Sequence, residues 1–177
     1  MLFLAQVVRG IDTFSEWTGK TIMWLTTAMV LITVYNVFER YALHSNTAYL
    51  IELNWHLYSI IFLLGAAYTL KHDGHVRVDL LYHKLSPRGK AWINMLGCLF
   101  FLLPVVFVIV YVSFESNFIG RAWAVSERSP DPGGLPARYL LKTVLPLGFS
   151  LLALQGIAEI LRNFLFLFEK PDTKGQN

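Results

Sequence analysis

The side chains best suited to chemistry are concentrated in one short polar segment, residues 71–79. The segment contains His72, His75, Arg77 and Asp79, and imidazole and carboxylate groups together suit transition metals. A turn would have to gather the histidines, however, and no Cys or Glu is present in the segment to complete a site. The segment is therefore not predicted to bind a metal, and its first residues are expected to cap the C-terminus of a helix.

Three other ionisable residues lie within long apolar segments. Glu159 and Arg162 are three residues apart, so they are expected to pair across one helical turn, with pairing to another subunit as the alternative. His56 lies one turn inside a different apolar segment. It is interpreted as a hydrogen-bonding residue at headgroup level, because haem bound between helices would normally need a second intramembrane histidine.

A wider set of residues is expected at contacts between helices or with another subunit. Uncharged amides are readily used for interhelical hydrogen bonds, and a tryptophan near the end of a span suits the headgroup region. The predicted contact residues are Glu52, Trp55, His56, Gln155, Glu159 and Arg162.

The sequence has no pattern typical of a catalytic centre. It has no nucleophile with a matching base, no phosphate-binding loop and no pair of catalytic carboxylates. Cys98 is the only cysteine, which excludes a disulfide framework. We therefore predict that the protein is not an enzyme and has no catalytic residue, no cofactor and no metal.

Four long apolar segments must position these residues. The chain has 177 residues and only 15% are charged, against about a quarter in soluble domains. About 20 mostly apolar residues cross the hydrocarbon core as a helix, and the apolar run at Phe100–Tyr111 lacks the alternation of a barrel strand. The predicted fold is an all-α integral membrane protein, with residues 1–177 forming one membrane domain. Its predicted transmembrane helices are residues 18–38, 52–71, 90–114 and 140–168.

The basic residues indicate how the four spans are oriented. With four spans, both tails and the middle loop 71–90 share one side of the membrane. Ten of the 15 Lys and Arg residues fall there, and positive residues are retained on the cytoplasmic side. We expect a multi-pass protein of the bacterial inner membrane with both termini cytoplasmic. The net charge of +3 does not indicate nucleic-acid binding, because the basic residues flank spans that contact membrane lipids.

Further predictions concern the N-terminal segment, the periplasmic loop and the fourth helix. Residues 1–17 are amphipathic and are predicted to form an interfacial helix, with an early start of the first span as the alternative. In the periplasmic loop, residues 115–139, apolar spacing up to Val125 predicts that the third helix extends beyond the bilayer. Prolines and glycines in 129–136 end it. Pro146 predicts a kink in the fourth helix.

Several motifs resemble those of the DctQ-like small membrane subunits of TRAP transporters, the tripartite ATP-independent periplasmic systems. The most specific is His75-Val76-Arg77-Val78-Asp79, a family motif in the cytoplasmic loop. The others are Glu52-Leu53-Asn54-Trp55-His56-Leu57, Gly65-Ala66-Ala67-Tyr68-Thr69-Leu70, Gly134-Leu135-Pro136-Ala137-Arg138-Tyr139, Pro146-Leu147-Gly148-Phe149 and Leu154-Gln155-Gly156.

This resemblance implies a small permease subunit in a sodium-coupled, binding-protein-dependent secondary transporter for organic acids, either carboxylates or oxo acids. It implies two partners, a large permease subunit that carries the sodium and substrate sites and a periplasmic substrate-binding protein. The small subunit would brace the large one. Charged residues of the periplasmic loop are candidates for docking the binding protein, namely Arg121, Glu127, Arg128, Asp131 and Arg138.

Two stand-alone functions remain open from the residues. A homodimeric four-helix exporter would be expected to have an essential carboxylate at mid-membrane, whereas Glu159 is near the end of its span. A haem-binding electron carrier would be expected to have more intramembrane histidines than His56.

Overall fold

The computed structural model describes residues 2–45, 47–72 and 85–168, and in these ranges the chain contains helices and no strands. Within them, four helical stretches are long and apolar enough to cross a membrane. These stretches are Phe3–Ala42, Ala48–Lys71, Pro87–Ala124 and Arg138–Phe168. The predicted all-α membrane fold is confirmed.

The first helix, α1, is continuous from Leu2 to Ala42. With 41 residues it is about 60 Å long, twice the thickness of the hydrocarbon core. No break occurs in α1 at residue 17, the predicted boundary between an interfacial helix and a span. The buried residues Val8, Ser15 and Ile22 explain why, since they recur every seven residues and keep one face of α1 against the other helices on both sides of that boundary.

The second helix, α2, spans Ala48–Lys71, so it begins four residues before its predicted start and ends at its predicted end. Its last turn is followed by residues 73–84, which are outside the described ranges. The motif residues His75, Arg77 and Asp79 fall in that interval.

The third span consists of three consecutive helical pieces. They are α3 (Pro87–Gly97), a π-helical turn (Cys98–Leu102) and α4 (Leu103–Glu115). Ser86 begins α3 as an N-cap, because its hydroxyl accepts a hydrogen bond from the Gly89 N–H at 3.2 Å.

The π-helical turn was not predicted from the sequence, and Pro104 gives it a physical reason. Proline has no N–H to donate, and in a regular α-helix its ring presses on the carbonyl of the residue four positions earlier. In the turn, the Leu103 N–H bonds to the carbonyl of Cys98, five residues earlier. This wider turn makes room for the proline ring next to it.

The third span was predicted to continue as one helix to Val125, but it does not. It ends at Glu115, and Asn117 adopts a left-handed conformation with φ of 52°. Asparagine tolerates that conformation better than most residues do, so the chain turns there. A separate short helix, α5 (Phe118–Ala124), then carries the apolar spacing seen in the sequence.

The last helix, α6 (Arg138–Phe168), is the centre of the bundle. It packs against α2, α1, α3, α4 and α5, and α1 also packs against α2. In the most apolar 18-residue stretch of α6, 33% of the residues are buried, whereas only 6% are buried in the corresponding stretch of α1. Glycines allow its closest contacts, because Gly148 faces the backbone of Leu63 and Gly156 faces the Leu102 side chain.

Replacement of Gly148 tests this packing. In Gly148→Ala, the added methyl group would be 2.7 Å from the Leu63 carbonyl oxygen, so α2 and α6 must separate. We expect the free energy of unfolding in detergent to fall by about 1–3 kcal/mol, measured by denaturant titration of the helical signal. Gly65→Ala is the control, because nothing lies within 4 Å of its new methyl group; it should be neutral or stabilising. Equal stability of the two variants would contradict the close contact.

Candidate functional site

A cluster of polar side chains joins α1 to α6 at the end of the bundle where α1 begins. We call it the Asp12 cluster; its members are Asp12, Ser15, Gln155, Glu159 and Arg162. Gln155 is fully buried, and Ser15 and Glu159 are nearly so. The buried positions on α6 are made possible by the small residues Gly156 and Ala158 beside them.

Arg162 is the centre of this cluster. One terminal nitrogen of its guanidinium contacts both carboxylate oxygens of Asp12, at 2.7 and 2.8 Å. The other donates to Oε2 of Glu159 at 2.6 Å. Such charge-assisted bonds are stronger than neutral ones, so α1 and α6 are joined by an ionic contact as well as by packing.

Gln155 forms hydrogen bonds with both Asp12 and Ser15 on α1. Its Nε2 donates to Oδ1 of Asp12 at 2.9 Å, while its Oε1 accepts from the Ser15 hydroxyl at 2.6 Å. A buried amide left without partners would be costly. Both polar ends of this side chain are paired, so the residue stabilises one specific register of α1 on α6.

A second ionic contact joins α1 to the end of α2. Lys71 donates to Oε2 of Glu16 at 2.6 Å and to the carbonyl of Asp12 at 3.0 Å. The ring Nε2 of His72 is 2.9 Å from the same Glu16 oxygen. The side chains expected to cap α2 thus bind a carboxylate of the neighbouring helix.

The predicted pairing of Glu159 with Arg162 is confirmed, but the main partner on α1 was missed. Asp12 and Glu16 belong to the polar face of residues 1–17, which the sequence predicts to be an interfacial helix. A signal was available, since the predicted topology places these acidic residues on the same side of the membrane as Lys71 and Arg162.

At the opposite end of the bundle, Glu52 holds the segment between α5 and α6. This carboxylate is buried, with 4% of the residue exposed. It accepts hydrogen bonds from the Ser129 hydroxyl and from the Leu135 N–H, the latter at 2.7 Å. Gly134 lies against both Glu52 and Ser129, where a larger residue would have no room. Glu52, predicted to contact another helix or subunit, is thus bonded to the loop that precedes α6.

The other two predicted contact residues on α2 are His56 and Trp55. Nδ1 of His56 is 2.7 Å from the carbonyl oxygen of Glu52, whereas its buried Nε2 has no hydrogen-bond partner among the described residues. Trp55 points away from the bundle and is 54% exposed.

The five docking candidates divide into two groups. Glu127 forms an ion pair with Lys142, and its backbone carbonyl accepts from the Arg138 N–H at 3.1 Å. The Arg138 side chain is 3.9 Å from the same carboxylate. These two residues therefore fix the loop on α6. Arg121, Arg128 and Asp131 are exposed.

In the described ranges, no group of three or more His, Cys, Asp or Glu side chains is arranged to hold a metal ion. The described side chains instead form ionic contacts at the two ends of an apolar bundle. The family model described as "Tripartite ATP-independent periplasmic transporters, DctQ component" matches residues 29–166.

The chain belongs to the DctQ family. One similar protein is the ectoine TRAP transporter small permease protein TeaB of Halomonas elongata. It is 26% identical over 136 residues, which are 76% of this chain and 67% of that protein. Another is the C4-dicarboxylate TRAP transporter small permease protein DctQ of Vibrio cholerae, 26% identical over 144 residues, 71% of this chain and 61% of that protein. No solved structure matches.

The family match covers only some of the residues that form the contacts at the two ends of this DctQ subunit. Glu52, Gln155, Glu159 and Arg162 lie inside the matched residues, whereas Asp12 and Glu16 lie before residue 29, where the match begins. The contact between α1 and α6 therefore combines matched and unmatched parts of the chain.

Replacement of Asp12 tests the ionic contact between α1 and α6. In Asp12→Ala, Arg162 keeps only Glu159, and Gln155 loses an acceptor. We expect the free energy of unfolding in detergent to fall by about 1–3 kcal/mol. The control is Lys20→Ala, which removes an ion pair with Glu16 from a side chain that is 65% exposed; its effect should be below about 0.5 kcal/mol. If both variants unfold alike, the cluster does not hold α1.

Replacement of Glu52 tests how the external segment is held. Glu52→Ala removes the acceptor of the Leu135 N–H and of the Ser129 hydroxyl. Backbone hydrogen exchange at residues 129–135 should therefore accelerate by about tenfold or more. This size is expected because a loss of about 1.4 kcal/mol in local stability raises the exchange rate tenfold. Asp131→Ala is the control, because that side chain is exposed in the same segment and its loss should leave the exchange rates unchanged. Unchanged exchange in Glu52→Ala would show that other contacts hold the segment.

Proposed function

We propose that this DctQ subunit braces the large permease subunit of a sodium-coupled, binding-protein-dependent transporter for organic acids. The observation that carries the proposal is the absence of ionisable residues from the middle of the spans. The stretches Thr21–Phe38, Leu57–Leu70, Ala91–Phe114 and Thr143–Ala158 contain no Asp, Glu, Lys, Arg or His, and His56 lies one turn inside the second span. Intramembrane ionisable residues mark ion and substrate pathways, so a pathway for ions is expected in a partner chain.

The contacts of the charged residues support the same proposal. Arg162 is paired with both Asp12 and Glu159 inside the chain. Charges engaged in this way stabilise a fixed arrangement of helices and are poorly placed to bind a transported ion. Family membership also favours a transporter subunit over a homodimeric exporter or a haem-binding electron carrier.

The partners and the substrate class follow from the family and the motifs. The expected partners are a large permease subunit with the sodium and substrate sites and a periplasmic substrate-binding protein. Carboxylates or oxo acids are the proposed substrates, and the C4-dicarboxylate relative supports this class. The ectoine relative shows that similar small subunits are found with different substrates, so selectivity is assigned to the partners.

The proposed location is the bacterial inner membrane with both termini cytoplasmic, supported by the excess of Lys and Arg on that side. The Asp12 cluster is then at the cytoplasmic end and Glu52 at the periplasmic end. The exposed residues Arg121, Arg128 and Asp131 would face the periplasm and could contribute to docking the binding protein by charge complementarity. Glu127 and Arg138 would hold the loop in place.

Deletion of this chain is the direct test of bracing. Uptake of labelled organic acid into cells should be abolished, because the large subunit loses its support. The purified large subunit should still bind sodium in a calorimetric titration. Re-expression of the small subunit in the deletion strain is the control and should restore uptake. Full uptake by the large subunit alone would contradict the proposal.

Charge reversal tests docking separately. Arg121→Glu with Arg128→Glu should reduce binding-protein-dependent uptake about tenfold or more and make the remaining uptake less sensitive to salt, because attraction between exposed charges is screened by ions. Arg9→Glu is the control, since Arg9 is also exposed but lies on α1 at the other end of the bundle. If uptake and its dependence on binding protein are unchanged, these arginines do not dock it.

A further inference from the structure

One groove on the surface of the protein has amide and hydroxyl side chains beside the apolar Met29 and Ile51. It lies between the outer parts of α1 and α2, is open to the surroundings and has a volume of about 410 Å³. We call it the amide groove. The residues that define it here are Thr33, Asn36, Asn54, Trp55, Tyr58 and Ser59.

Two amide groups in this groove are not fully paired. The Thr33 hydroxyl is 3.3 Å from Oδ1 of Asn54, but neither the Asn54 Nδ2 nor the side chain of Asn36 has a hydrogen-bond partner among the described residues. Both residues are half-buried and line the groove. Acyl chains cannot form hydrogen bonds with these amides, so their partner must be water, a lipid headgroup or another protein.

The third span provides the contrast. Its most exposed side chains are apolar, among them Phe100, Phe101, Phe107 and Val108, each more than half exposed. Acyl chains satisfy such a surface completely, whereas they can neither donate to nor accept from an asparagine. The two surfaces therefore suit different neighbours, with lipid against the third span and a polar partner against the amide groove.

We propose that the amide groove is the docking surface for a transmembrane helix of the large permease subunit. This helix would bring amide or hydroxyl side chains to Asn36 and Asn54, and small residues that let it lie between Trp55 and the α1 face. The exposed rings of Trp55 and Tyr58, at 54% and 60%, would then be covered by the partner. The inference rests on the proposed function, because it takes the large subunit as the occupant.

Photo-crosslinking in the native membrane tests the surface. The probe is benzoylphenylalanine, placed at Tyr58 in one full-length protein and at Phe107 in another, each co-produced with the complete transporter. The two positions are matched, because each ring is exposed and stacks on an aromatic ring one turn later with an interplanar angle of 15°. Adducts are identified by mass spectrometry.

We expect the probe at position 58 to form an adduct with the large subunit in at least about tenfold greater yield than the probe at position 107. Similar yields, or a larger yield at position 107, would contradict docking of the large subunit at the amide groove while leaving the proposed function intact. An adduct with a second copy of this chain at position 58 would overturn it in favour of a homodimer. Lipid adducts alone at both positions would also overturn it; failure of the large subunit to copurify would additionally overturn the proposed function.

A substitution separates association from folding. Asn36→Leu removes an unpaired amide, so the melting temperature of the isolated small subunit in detergent should stay the same or rise. Copurification of the large subunit should fall roughly three- to tenfold, the size expected for one or two interhelical hydrogen bonds. Gln6→Leu is the matched control, an exposed amide on α1 far from the groove, and should change neither measurement. Unchanged copurification with Asn36→Leu, or a loss that accompanies unfolding of the small subunit, would overturn the role of Asn36.

Discussion

The arrangement of helices in this DctQ subunit depends on the ionic contact between Asp12 and Arg162. A charged side chain near lipid must be paired, and removing one partner leaves the other uncompensated. Arg162 meets this constraint with one carboxylate on α1 and one on its own helix. Because Asp12 can reach it from only one face of α1, pairing the charges also determines which face of that helix meets α6. The buried Gln155 stabilises the same arrangement through its hydrogen bonds to Asp12 and Ser15.

The sequence predicts those features of the fold that depend on local properties. The lengths of the spans follow from apolar runs, and the Glu159–Arg162 pair follows from a separation of one helical turn. The Asp12–Arg162 contact joins residues 150 positions apart, so no periodicity within α1 could reveal it. The breaks at Cys98–Leu102 and Asn117 were missed because apolar spacing continues through both, although Pro104 was a usable signal for the first. The contacts of Glu52 depend on the fold of a turn rich in proline and glycine, which spacing does not determine.

The surface of the subunit is divided by chemistry. Ionic groups are engaged at the two ends of the bundle, and apolar and aromatic side chains cover the third span. Unpaired amides are found in a groove between α1 and α2. This division fits a protein that contacts water, lipid and another membrane protein at the same time. It also fits the description of the family as a component of tripartite transporters.

The central position of α6 has a consequence for biosynthesis. This helix leaves the ribosome after α1–α5, yet it is the one against which those helices pack. At about 5–20 residues per second, the 150 residues between Asp12 and Arg162 take roughly 8–30 s to synthesise. During that interval α1 is in the membrane without its cation. A ribosome that stops before residue 162 therefore leaves a nascent chain with an uncompensated carboxylate, which is the kind of defect that membrane proteases and chaperones can recognise.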